Sequence, residues 1–390
     1  MPDGRAHLQG PVICVVGARP NFIKMAPLLR AFAAREPAIP AYLVHTGQHY
    51  DHDMSGRIFI SLGLPPPDIN LEVGSGSHAM QTAEVMQRFA KVLDQVRPRC
   101  VLVVGDCNSA LACALVAVKE KIPVVHVEAG LRSGDRDMPE EINRLLIDQV
   151  ADLLFTTERS ADANLAREGV PGERIQFVGN VMIDALRANL PLAPSVAETL
   201  ACVNADAALA GHAAGYALLT MHRPSNVDQA ETLRALLEIL REVADRLPLV
   251  FALHPRTKAN IERLDLGDLL RHPAIVLLPP QGYLEMLGLL NGATVVLTDS
   301  GGIQEETTAL GRPCVTLRDN TERPITIEQG TNVLAGRDRT AILRAVDQVL
   351  AGAGKQGRVP EYWDGHAAER IASKLGQWLI SGCAAARPAQ

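Results

Sequence analysis

A chain of 390 residues exceeds the length at which one hydrophobic core usually keeps growing, so two domains of similar size are expected. Hydrophobic residues make up 47% and charged residues 21%, and a net charge of -6 argues against a broad nucleic-acid surface while leaving room for a local anion pocket. No apolar run is long enough for a membrane-spanning helix, no secretory leader is evident, and seven cysteines without a CxxC pair read as reduced thiols; a cytoplasmic protein with no membrane or nucleic-acid partner is expected.

In chain order, apolar β-branched runs begin at Val12 ("VICVVG"), Ala41 ("AYLVHTG"), Cys100 ("CVLVVGD"), Val124 ("VVHVEAG"), Leu153 ("LLFTT") and Ile175 ("IQFVGN"), with helix-length amphipathic stretches between them. After an Ala- and Pro-rich connection, Asn189 to Gly215, the alternation resumes at Ala217 ("ALLTMH"), Leu249 ("LVFALHP"), Ile275 ("IVLLPP"), Val295 ("VVLTDSG") and Cys314 ("CVTLRD"). Strands apolar on both faces and separated by helices indicate parallel βαβ units. The fold class is therefore α/β with two Rossmann-like doubly wound domains, 1–186 and 187–365, and an amphipathic helix over 366–381 that crosses back to join the first. Ligands of such sheets bind beyond the carboxyl ends of the strands. Polar residues follow the strands closely there: Arg19, Gln48, His49, Asp106, Glu128, His222, Asp299 and Ser300. Two such edges facing each other would enclose a cleft.

Arg19 and Lys24 follow the first strand on a turn and helix start, where free N–H groups and cations suit an anion; a surface ion pair is the ordinary alternative. Asp106, on the "VVGD" turn, suits the N-cap of the helix after it. The stretch "VVHVEAGLRSGDRDMPEEINRLL", Val124 to Leu146, gathers Glu128, Arg132, Glu140, Glu141, Asn143 and Arg144. Glu140 and Arg144 lie four apart on a helix opened by Pro139, so Arg144 is expected to orient Glu140, with Leu145, Leu146 and Val150 toward the core and Glu141 and Asp148 toward solvent. Glu128 resists a solvent-facing account. It follows directly from a strand expected to be buried, where a carboxyl tends to a raised pKa, as a general acid or base requires.

In the second half, "LLTMHRPSN" places His222 and Arg223 at a strand end, and His254 with Arg256 forms a second such pair. "TDSGGIQEE" offers Ser300, Gly301 and Gly302 at a helix start, where small residues and unpaired N–H donors suit a phosphate; an N-capped helix with acidic residues is the alternative. Glu305 or Glu306, on that first turn, suits ribose hydroxyls better than phosphate. Arg318 and Arg323, in "RDNTERP", carry guanidinium groups suited to a diphosphate.

The motifs "GARPNFIKMAP", "GQHYD", "GDCNS", "HVEAGLRSGDRDMPEEINR", "VGNVMIDAL", "MHRPSN", "TDSGGIQEE" and "TERP", in this order from Val12 to Gly336, resemble the non-hydrolysing UDP-N-acetylglucosamine 2-epimerases. The resemblance implies a glycosyltransferase-B-like pair of domains, a homodimer, and UDP held mainly by the C-terminal domain. It implies a reaction without cofactor or metal: inversion at C2 of UDP-N-acetylglucosamine to UDP-N-acetylmannosamine, through elimination of UDP to a 2-acetamidoglucal and re-addition. By motif, the catalytic residues would be Asp106, Glu128, Glu140 and His222. UDP and sugar would be held by Arg19, Lys24, His49, Arg144, Ser300, Gly301, Gly302, Glu306 and Arg323. Cys107 stands where the family's familiar form has Thr. Two further readings remain beside this one: a 2-epimerase of a modified sugar such as UDP-2,3-diacetamido-2,3-dideoxyglucuronic acid, and a glycosyltransferase of the same architecture.

Overall fold

A strand covered on both faces must be apolar at every position, and all five residues of Val12–Val16 and of Cys100–Val104 are buried. The computed structural model describes residues 10–47, 62–201, 203 and 215–381, so His49 lies outside the described residues. The chain up to Ala188 and from Glu361 onward forms one unit, and Asn189–Pro360 forms the other.

The first unit is built on a seven-stranded sheet. Its strands are β1 (Val12–Val16), β2 (Ala41–His45), β3 (Ile69–Asn70), β4 (Cys100–Val104), β5 (Val124–Ala129), β6 (Leu153–Thr156) and β7 (Ile175–Phe177). Every neighbouring pair is parallel, in the order β3-β2-β1-β4-β5-β6-β7. The winding therefore changes direction between β1 and β4, which is where an open α/β sheet leaves a crevice at its carboxyl edge. Helices α1 (Arg19–Ala34), α2 (His78–Val96), α3 (Asn108–Lys119) and α4 (Pro139–Val150) belong to the same unit. α1 carries Pro20 in its first turn, where the missing N–H costs nothing.

The second unit repeats the plan on six strands: β8 (Ala217–Thr220), β9 (Leu249–Ala252), β10 (Ile275–Leu278), β11 (Val295–Thr298), β12 (Cys314–Thr316) and β13 (Asn332–Leu334). Their order is β10-β9-β8-β11-β12-β13, all parallel, and the reversal falls between β8 and β11. Leu233, Leu236, Leu237 and Leu240, at helical spacing on Ala230–Ala244, bury against this sheet's core. Among the described residues no helix is long and apolar enough to cross a membrane.

The returning C-terminal segment is tied to the first unit by both apolar and polar contacts. Trp363 is fully buried, and its indole N–H donates to the Thr157 carbonyl at 3.2 Å. The helix Ala367–Ile380 begins on Asp184, whose carboxylate accepts from the Ala368 and Ala367 amides at 2.7 and 3.2 Å and so caps orphan donors. Outside these, Phe177 stacks on Tyr362, with Arg159 over one ring and Arg370 over the other. Removing the buried indole leaves a cavity and an orphaned carbonyl, so Trp363→Ala should cost about 3–5 kcal/mol in the first unit's stability. Denaturant unfolding followed in that unit measures this; a change below about 1 kcal/mol would mean the segment packs elsewhere.

Candidate active site

In the first unit the candidate residues gather at the β1/β4 reversal. α1 carries Lys24 inward, and its ammonium forms an ion pair with the Glu128 carboxylate; both side chains are buried. The pair lies against Gly105, which precedes Asp106. A Cβ on Gly105 would sit 3.1 Å from Glu128 Oε2 and 3.7 Å from Lys24 Nζ, and its φ of +68° is one that L side chains avoid. Asn21 braces the same place, donating to the Val104 carbonyl at 2.8 Å and accepting from the Ala18 amide at 2.9 Å and the Cys107 thiol at 3.2 Å. Arg19 opens α1 and is half-buried.

Asp106 does not cap the helix after it. Cys107 occupies the N-cap position of α3, and the Asp106 carboxylate instead meets the Arg144 guanidinium, Nε to Oδ2, at 3.2 Å. Asp106 precedes that N-cap residue, and the buried guanidinium offers it a charge-assisted partner. Arg144 is 2% exposed and also pairs with Glu141 at 3.1 Å. Its Nε reaches Glu140 only at the main-chain carbonyl, 3.2 Å away, so the expected orienting of the Glu140 carboxylate is replaced by a hold on Asp106. Glu140 itself is half-buried on the first turn of α4. Asn143 completes the group, donating to the Asp106 carbonyl at 2.8 Å and to Asn108 Oδ1 at 3.2 Å.

The expected burial of α4 holds for Val150, which packs against the core, and is reversed for Leu146, Glu141 and Asp148. Glu141 and Asp148 are 2% and 1% exposed, whereas Leu146 is 44% exposed. The reason is local: the loop before the helix turns its amides inward and needs acceptors. Glu141 accepts from Ser133 N, Ser133 Oγ and Gly134 N at 2.9 to 3.0 Å, and Asp148 accepts from Gly130 N at 3.0 Å.

The second unit builds its group at the β8/β11 reversal. Asp299, fully buried at the end of β11, accepts from the His222 amide at 3.0 Å, the Arg223 amide at 2.9 Å and Asn226 Nδ2 at 3.1 Å. His222 Nδ1 lies 3.1 Å from the same carboxylate, so the ring is oriented with Nε2 directed away from Asp299. Burial pushes Asp299 upward, but the His222 hydrogen bond and charge, with the two amides, outweigh it and hold the carboxyl below its usual range. The His222 ring packs on that of His254, with centroids 5.2 Å apart.

Ser300 stands at the N-cap of Gly301–Leu310, and Gly301 and Gly302 begin the helix. A Cβ on Gly301 would approach Glu322 Oε1 to 2.5 Å, so only glycine admits the neighbouring charges so near the helix start. Those charges form one cluster. Glu322 receives Arg318 at 2.8 Å, Arg323 at 3.0 Å and Arg223 at 3.6 Å, and Arg323 also pairs with Glu305 at 2.7 Å. Burial acts to raise Glu322, yet Arg323, Arg318 and Arg223 hold it well below the usual carboxylate range. Glu306 is buried on the same helix. Guanidinium groups beside a helix N-terminus make an anion seat.

The first unit thus brings Lys24, Glu128, Asp106 and Arg144 together around Gly105, and the second brings His222 to Asp299 and Arg323 close to Gly301. Asp299 was marked in the sequence only as a polar residue at a strand end, without its hold on His222, and Glu322, which organises the arginine cluster, was not singled out. Their signals were only an Asp before "SGG" and a Glu between two Arg.

A family model described as "UDP-N-acetylglucosamine 2-epimerase" matches residues 32–376. The UDP-N-acetylglucosamine 2-epimerase of Methanocaldococcus jannaschii is 42% identical over 360 residues, covering 92% of this chain and 96% of its own. The chain belongs to the UDP-N-acetylglucosamine 2-epimerase family. A second relative, the UDP-2,3-diacetamido-2,3-dideoxy-D-glucuronate 2-epimerase of Pseudomonas aeruginosa, is 39% identical over 369 residues, covering 94% of this chain and 99% of its own. The crystal structure of the Methanocaldococcus jannaschii enzyme in complex with UDP-GlcNAc and UDP matches with a TM-score of 0.83 at 40% identity, over 94% of this chain and 99% of that one. The two Rossmann-like sheets of this 2-epimerase family member are accordingly of the glycosyltransferase-B-like class.

In this family member Glu322 is the shared counter-ion of three guanidinium groups, two of which have side chains at least nine-tenths buried. Glu322→Gln should destabilise the second unit by about 3–5 kcal/mol, because it leaves buried positive charge uncompensated. A urea midpoint unchanged from wild type would contradict that account.

Proposed function

We propose that this nucleotide-sugar 2-epimerase interconverts UDP-N-acetylglucosamine and UDP-N-acetylmannosamine. The observation that supports it most is the convergence of the Lys24–Glu128 pair and Asp106 at Gly105, on the carboxyl edge of the first sheet. The hydrogen at C2 of the sugar is not acidic, because no carbonyl adjoins it in the ring. Its removal has to accompany C1–O cleavage. The C1–O electron pair leaves with UDP, the C2 proton passes to a carboxylate, and C1=C2 forms in a 2-acetamidoglucal. In the reverse sense a proton arrives at the opposite face of C2 and the UDP oxygen closes on C1, so the sum is isomerisation with no net redox.

Glu128, Asp106 and Glu140 are the carboxylates for that chemistry, exchanging the proton and stabilising oxocarbenium character at C1. Lys24 pairs with Glu128, and Arg144 holds Asp106. His222, Arg323 and the amides of Gly301 and Gly302 balance the charge that develops on the departing diphosphate, with Ser300 and Arg19 assigned to UDP and Glu306 to the ribose. The Pseudomonas aeruginosa relative motivates a second reading, in which the sugar is a diacetamido uronic acid.

Incubation with UDP-N-acetylglucosamine in deuterated water should place deuterium at C2 and yield the manno isomer, as followed by NMR; transfer seen only when an acceptor is added would overturn the proposal. Run in parallel, UDP-2,3-diacetamido-2,3-dideoxyglucuronic acid should turn over more slowly, and the opposite ranking would establish the second reading. Glu128→Gln should lower C2 exchange by about 10²–10⁴-fold while UDP still binds, the range of a lost general acid or base. Arg323→Ala should instead weaken UDP binding by about tenfold or more, equivalent to ~1.4 kcal/mol, as read by calorimetry.

A further inference from the structure

Behind Glu128 lies a polar group that the proposed reaction does not use. His126, on β5, is 0% exposed, and Asp148, on α4, is 1% exposed. The His126 ring meets Asp148 Oδ1 through Nδ1 at 2.7 Å and the Gly105 carbonyl through Nε2 at 2.9 Å. A carbonyl oxygen accepts hydrogen bonds and cannot donate them. Asp148 is likewise committed as an acceptor: Oδ2 takes the Gly130 amide at 3.0 Å and lies 2.7 Å from the Arg132 guanidinium, which is itself bound to Glu168. Burial acts to raise Asp148, but His126 and Arg132 outweigh it and hold the carboxyl below its usual range. Both ring nitrogens therefore face acceptors, and both must carry hydrogen.

The contacts of this pair fall at chosen places in the chain. His126 is two residues before Glu128 and Gly130 two residues after it, and Gly105 immediately precedes Asp106. Glu128 has a φ of +73°, and the β5/β6 register shifts between Val127 and Ala129. A non-glycine residue in that region costs on the order of 1–3 kcal/mol and persists only where its surroundings hold it. We infer that His126 is a buried imidazolium which, with Asp148, clamps the backbone on both sides of Glu128 and the carbonyl before Asp106, making it a positioning residue for both carboxylates. The inference rests on the proposal that Glu128 and Asp106 are the reacting carboxylates. His126 touches neither of their side-chain oxygens in this assignment and acts only through the main chain.

The test uses the full chain labelled with ¹⁵N-histidine, with the His126 ring assigned from the His126→Gln spectrum. Both ring nitrogens should be protonated at pH 7.5, with two slowly exchanging N–H protons; a ring with one bare nitrogen overturns the imidazolium. Wild-type C2 exchange is measured first. His126→Gln and Asp148→Asn should then each lower kcat on the order of 100-fold, as a misplaced reacting group does. Their KM and UDP affinity should stay within about twofold, the pattern of a loss confined to the transition state. Wild-type kcat in either folded variant overturns the positioning role. Absence of C2 exchange in the wild type defeats the proposed reaction, and the ring spectrum still decides the charge state on its own.

Discussion

The buried pair of Lys24 and Glu128 is the constraint around which the first unit is arranged. Stripping an ammonium and a carboxylate of water costs several kcal/mol per ion, and their mutual attraction seldom returns more than that. An apolar pair of similar volume would serve stability at least as well. The sequence nevertheless keeps the charges there, with Glu128 between Val127 and Ala129, so stability alone does not account for them. Their neighbours follow from that choice. Gly105 has no side chain because the pair fills the space where one would be, and Asn21 spends its amide on the chain beside it. Arg144 is buried and pairs with Asp106, the residue after Gly105.

The second unit also keeps charges in pairs at its carboxyl edge. Arg318 and Arg323, with the nearby Arg223, are met by Glu322 and Glu305. Asp299 does for His222 what Arg144 and Asn143 together do for Asp106: it fixes a polar group at the carboxyl edge by binding both its main chain and its side chain. Both groups stand at the reversal of their own sheet, β1/β4 in one and β8/β11 in the other. A reversal sends the helices that follow the two central strands to opposite faces, and the crevice left between them admits side chains without breaking the sheet.

Much of this was legible because parallel strands have a distinctive chemistry. Runs such as "CVLVV" are apolar on both faces, which an antiparallel strand half exposed to water would not be, and the first polar residue after each run marks the sheet's carboxyl edge. That one rule found Asp106, Glu128, His222 and Ser300. It failed on α4. Periodicity assigns charged residues to water, and Leu145, Leu146 and Val150 seemed to define an inner face. The loop amides of Gly130, Ser133 and Gly134 needed acceptors instead, and Glu141 and Asp148 supplied them. Nothing in the spacing of α4 announces that demand, because it arises in a different segment. The same rule marked Asp299 at its strand end but not its role, for a related reason: its partners at 222, 223 and 226 are more than 70 residues away in sequence, and only the β8/β11 pairing brings them near.

The backbone at Glu128 joins these strands of reasoning. A regular continuation of β5 would alternate residues between the two faces of the sheet, and both faces there are core. By simple alternation Glu128 would share a face of the sheet with His126, two residues before it. The register shift at Val127/Ala129 and the positive φ of Glu128 break the alternation at one residue. A bulge of this kind re-aims a side chain at a local conformational cost. Here the redirected carboxylate meets Lys24 of α1, and the cost is carried by contacts on either side: the Gly105 amide donates to the Val127 carbonyl at 3.0 Å, and the Gly130 amide to Asp148 at 3.0 Å. The inverted face of α4 is thus what allows the strand to end as it does. Had Asp148 turned to solvent, as its helix periodicity suggests, the Gly130 amide would have lost its acceptor and Glu128 one of the contacts that hold its conformation.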